Sequence, residues 1–123
     1  MVRGLASGGF DTSFYLLGWT PGSLDSWNVL SNLMNCRTES GEGSPFNLGG
    51  FCDKKVDELT GQVLVEIDPE KRDGLIAEAY KISHDNAYYI PLHQQGLAWG
   101  ARDNVSVKQR ADNQFQWRHV TVK

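Results

Sequence analysis

The chain has 123 residues, 40% of them apolar, with 12 Lys and Arg against 15 Asp and Glu for a formal charge of −3. That length allows one domain with a core. No basic stripe marks a nucleic-acid binder, and no apolar run approaches the ~18 residues that a membrane-spanning helix needs.

Met1-Val2-Arg3 is not followed by the apolar stretch of a secretory leader, which on its own points to the cytoplasm unless a leader lies upstream. Residues 12–19 read as a strand buried on both faces, because Phe14-Tyr15-Leu16-Leu17 is continuous rather than alternating. The run ends in Gly18-Trp19 and breaks at the turn Thr20-Pro21-Gly22. A tryptophan delivered to a strand end beside open turn backbone suits a small-molecule cleft, where indole stacks and main chain hydrogen-bonds. It suits equally well a cap on the core under the next helix.

That helix places Trp27, Leu30, Leu33 and Met34 at helical spacing, with Ser23 or Asp25 as its N-cap. Residues 37–50 have the Gly- and Ser-rich composition of a loop, too long for an idle connector. Cys36 and Cys52 flank it. They are too far apart for a CxxC pair and have no histidine at ligand spacing. They either clip the loop as a disulfide or remain two buried thiols.

A second helix starts at Asp53 with the stripe Val56, Leu59, Val63 and Ile67. Asp68-Pro69-Glu70 then restarts the chain, with Asp as cap, Pro at the first helical position and an acid in the first turn. The third helix turns Leu75, Ile76, Ala79, Tyr80 and Ser83 inward. Residues 88–93 and 97–102 read as strands around Gln94-Gln95-Gly96, with Pro91 marking an edge or a bend, and 115–122 closes the chain as a third strand. Strand, three helices, then strands is the order of a mixed α/β or α+β fold, a sheet with helices packed on it. A fully buried opening strand needs more neighbours than the late strands supply, so the chain reads as a piece of something larger.

Nothing motivates an enzyme. GxSxG, HExxH and P-loop patterns are missing. His84, His93 and His119 are scattered over a helix and two strands, and capping explains Asp53, Asp57 and Asp68. No catalytic residue, metal ligand or cofactor is expected.

The ordered series FDTSFYLLGWTPG, then DSWN, then Asn47-LGGF-Cys52, then DKKVDELTGQVLVEIDPEKRDGLIAEAYKI and YYIPLHQQGLAWGAR resembles the peptide/nickel family of periplasmic solute-binding proteins. Gly18-Trp19, Val56-Asp57-Glu58-Leu59, Asp68-Pro69-Glu70-Lys71-Arg72 and Ile90-Pro91-Leu92 carry the likeness, over roughly residues 9 to 120. Members are the extracytoplasmic receptors of ABC importers. The resemblance implies that residues 1–123 are a single fragment of the C-terminal lobe of a two-lobed protein, without its signal peptide and first lobe. It implies a peptide or related small solute held between the lobes, hinge closure, and docking on the importer's membrane permease. The missing N-terminal lobe becomes a partner, and nucleic acid does not. It places Gly18, Trp19, Thr20, Pro21 and Gly22 on the ligand cleft, pairs Cys36 with Cys52, and makes the periplasm the compartment. Dipeptide receptors of the family carry an aspartate three residues after that tryptophan, where it meets the peptide's α-amino group. Gly22 stands there, which argues against an ordinary dipeptide and for a longer or modified peptide, an opine-like or a sugar-like compound. The rivals are a self-standing cytoplasmic interaction module and a small hydrolase built on His93.

Overall fold

Three aspartates start three helices. In the computed structural model, which describes residues 14–38 and 43–123, each accepts a hydrogen bond from a backbone N–H of the first turn that has no helical partner. Asp25 takes the N–H of Trp27 at 2.7 Å and opens α1, Ser26–Val29, which widens at once into a π-type turn, Leu30–Met34. Asp53 takes the N–H of Lys55 at 2.8 Å and opens α2, Lys54–Val65. Asp68 takes those of Glu70 and Lys71 and opens α3, Pro69–Asp85, with Pro69 in the first turn where its missing N–H costs nothing. The choice between Ser23 and Asp25 therefore falls to Asp25.

The link between α2 and α3 is three residues long, Glu66–Asp68, and Glu66 accepts the N–H of Asp68 at 2.9 Å. So short a connection forces the helices antiparallel and side by side. Val56, Leu59 and Val63 of α2 pack with Ala79 of α3 and with Leu30, Leu33 and Met34 of the π-type turn. Leu75, Ile76 and Tyr80 line the edge of this core as expected, and Ser83 is buried beside Met34. Each buried Leu or Val contributes about 1.5–3 kcal/mol. Ile67, placed on the stripe from the sequence, is 95% exposed, because the helix has already ended at Val65.

Among the described residues the sheet is one short antiparallel ladder, β1, Val105–Ser106, against β2, Thr121–Val122, with Val105 opposite Val122. Three helices with a two-stranded sheet make the fold α+β. The expected strands are corrected in detail. Residues 12 and 13 lie outside the described residues, and 14–19 are not a strand. Phe14 is 80% and Leu16 76% exposed, so this run is not buried on both faces. Residues 88–93 and 97–102 form no strand either, and 115–122 contributes only β2 after a 3₁₀ turn at Trp117–His119. The reason is common to all. A strand exists only against a partner, and among the described residues these apolar segments form no ladder.

The loop between α1 and α2 is held at both ends. A disulfide joins Cys36 to Cys52, with Cα atoms 4.5 Å apart, so the clip is present and the two-thiol alternative is not. The buried Asn47 amide donates to the carbonyls of Asn35, at 3.0 Å, and Phe51, at 2.7 Å, each the residue just before a cysteine. Cys36 N–H donates to Asp57 on α2 at 2.8 Å, tying the clip to the helix pair.

Candidate functional site

The turn after Trp19 sits on this platform. Trp19 is half-buried: its indole N–H donates to Asn28 of α1 at 2.9 Å, and its ring lies 4.8 Å from that of Phe46 at 58°. The ring thus packs against the core while the residue keeps part of its surface exposed. Gly18 approaches Gln95 of the extended segment after α3, with Oε1 3.9 Å from where a β-carbon would stand. Thr20 and Gly22 are exposed and Pro21 is partly so. The Pro21 carbonyl accepts the N–H of Leu24 at 3.0 Å and closes a tight turn over 21–24. A β-carbon on Gly22 would meet nothing within 4 Å. The backbone of the turn is therefore bare, open, and anchored at both ends.

The anchor on the α1 side was not visible in the sequence. Arg72 of α3 reaches Asp25 with Nη2 to Oδ1 at 2.9 Å, and its Nε donates to the Val63 carbonyl of α2 at 3.1 Å. One guanidinium thus ties the start of α1, the end of α2 and the body of α3. Arg72 holds the Asp25 carboxyl below the ordinary carboxylate range, helped by the Trp27 N–H. A lowered folded-state pKa stabilises above the unfolded-state value near ~4, and that stabilisation is lost as pH falls through the lowered one. Urea unfolding of Arg72→Met should therefore show a midpoint loss at pH 7 that shrinks toward pH 3. An equal loss at both pH values would mean that Arg72 acts through packing alone.

A second link missed from the sequence joins Tyr15 to the core. Its hydroxyl meets that of Tyr89 at 3.2 Å, and Tyr89 donates to the Leu33 carbonyl at 2.7 Å. Burial pushes the Tyr89 phenol far above its ordinary pKa, so it serves as a neutral donor at every working pH. Phe51 stacks on Tyr88 at 4.1 Å and meets Tyr89 edge-on at 5.4 Å, locking the chain after α3 against the disulfide loop.

The histidines do not come together. His84 is exposed at the end of α3 beside Asp85, His93 lies on the exposed stretch after it, and His119 ends the 3₁₀ turn. Among the described residues no group of His, Cys, Asp and Glu could hold a metal ion, and no helix is long and apolar enough to cross a membrane.

Comparison with known proteins finds the chain similar to a stretch of proteins named for di- and tripeptide binding. Di/tripeptide-binding protein 2 of Pseudomonas aeruginosa (strain UCBPP-PA14) is 31% identical over 107 residues, 86% of this chain. Di/tripeptide-binding protein 4 of the same strain is 36% identical over 78 residues, 63% of this chain, and its probable di/tripeptide-binding protein 5 is 28% identical over 92 residues, 75% of it. The matched stretch is only 14–19% of the length of these relatives. No family model matches the chain, and neither does any solved structure.

Proposed function

We propose that this chain supplies one wall of the peptide cleft of an extracytoplasmic solute-binding protein, whose other wall belongs to a second lobe. The observation that carries this reading is the bare turn at Gly22, set beside a half-buried Trp19 and anchored through Asn28 and Arg72. Its likeness to proteins named for di- and tripeptide binding supports a peptide as the solute. Capture follows from closure of the two lobes, and delivery from docking of the closed form on an ABC importer's permease. The Cys36–Cys52 disulfide favours an oxidising compartment such as the periplasm over the cytoplasm, and so disfavours a cytoplasmic interaction module. Exposed Phe14, Leu16, Ile90 and Leu92 offer apolar surface for the rest of such a protein to cover.

The turn has no free carboxylate. Position 22 is glycine, and Asp25 is already engaged by Arg72 and by the Trp27 N–H. A peptide's ammonium finds no free carboxylate on this turn, which favours a longer or modified peptide over an ordinary dipeptide.

Calorimetry tests the shared cleft. The 123-residue chain should give no heat with Ala-Ala or Ala-Ala-Ala up to roughly millimolar concentration, a −4 kcal/mol threshold, while a two-lobed receptor containing it binds a peptide. Micromolar binding by the chain alone overturns the proposal.

A further inference from the structure

Three described residues other than glycine have a left-handed backbone, Leu24 at φ 55°, Ala87 at 53° and Asn113 at 56°. Two are explained locally. Asparagine tolerates this region. Ala87 follows the C-cap of α3, where a left-handed residue is the common way to end a helix. Leu24 has neither excuse. Its Cβ crowds its own carbonyl in this conformation, and its side chain is 69% exposed and joins no core contact. Packing therefore does not account for a bulky residue there.

The surroundings hold it in place. On one side the Leu24 N–H is bound to the Pro21 carbonyl, and on the other Asp25 is fixed by Trp27 and Arg72. Strain retained in this way gathers at ligand clamps. Two residues back lies the open backbone of Gly22. Leu24 closes the same tight turn, its N–H on the Pro21 carbonyl, and its side chain is 69% exposed beside that open backbone.

We infer that Leu24 is the specificity-determining residue of the turn, the apolar lip against which an apolar side chain of the bound peptide rests. The inference rests on the peptide-cleft reading and deepens it. With no free carboxylate in residues 18–25 to select an ammonium, the exposed Leu24 side chain offers an aliphatic contact instead.

Leu24→Gly separates the role from the strain. Glycine accepts the left-handed backbone, so the melting temperature of the 123-residue chain should rise by about 3 °C. In the two-lobed receptor containing the chain, the affinity for Ala-Leu-Ala should fall about tenfold, and that for Ala-Asp-Ala should stay within roughly twofold of its starting value. Leu24→Asn keeps the left-handed turn without the aliphatic side chain and should give the same selective loss. Unchanged affinity for Ala-Leu-Ala in either variant overturns the inference, as does an equal loss for both peptides in Leu24→Asn. If the unsubstituted receptor binds neither peptide, the cleft reading itself fails and takes this inference with it.

Discussion

Substituting Asn47 by alanine is expected to cost the fold about 3 kcal/mol, more than any surface change in the chain. The side chain is fully buried, and its amide N–H groups satisfy two carbonyls while its oxygen accepts the Gly50 N–H at 3.1 Å. Alanine keeps the Gly50 N–H bond to the backbone carbonyl of residue 47 at 3.3 Å but takes the amide donor from the Asn35 and Phe51 carbonyls, and each buried unmet group costs about 1–3 kcal/mol. Asn47→Asp retains the acceptor for Gly50 but puts oxygen where both carbonyls need a donor, so it should be at least as damaging. Urea unfolding at neutral pH gives the number. A loss under about 1 kcal/mol would show that water replaces the amide freely and that the loop is less enclosed than its burial implies.

Loss of the disulfide should have a similar effect. Cys36 and Cys52 are 16 residues apart, and closing a loop of that size restricts the unfolded chain by about 3 kcal/mol. The Cys36→Ser, Cys52→Ser double variant should unfold at correspondingly lower urea with a larger m-value, because its unfolded state expands further. A change in midpoint with no change in m would place the effect in the folded state instead. The Cys36 N–H bond to Asp57 survives the substitution, so α2 should keep its start.

How much of this could be read in advance depended on the range of the interaction. Asp25, Asp53 and Asp68 announce their helices because a cap bonds to a backbone N–H two or three residues ahead. The stripe Val56, Leu59, Val63 follows from helical geometry alone. Strands depend on a partner that local pattern does not name, so the apolar runs at 14–17 and 88–92 read as strands and are not. For the candidate site, the sequence pointed to Gly18–Gly22 but not to what holds it. Asn28 under Trp19 lies 9 residues away, and Arg72 on Asp25 lies 47 away, a pairing that only the antiparallel α2–α3 hairpin creates. The left-handed backbone at Leu24 carried no signal, since Gly, Asn and Asp are the residues that announce this region.

The Asn47 amide has a consequence for how the chain matures. Its two N–H groups grip the carbonyls immediately before Cys36 and before Cys52. A reduced chain that closes the same two hydrogen bonds is expected to hold its thiols side by side, raising their effective concentration for oxidation.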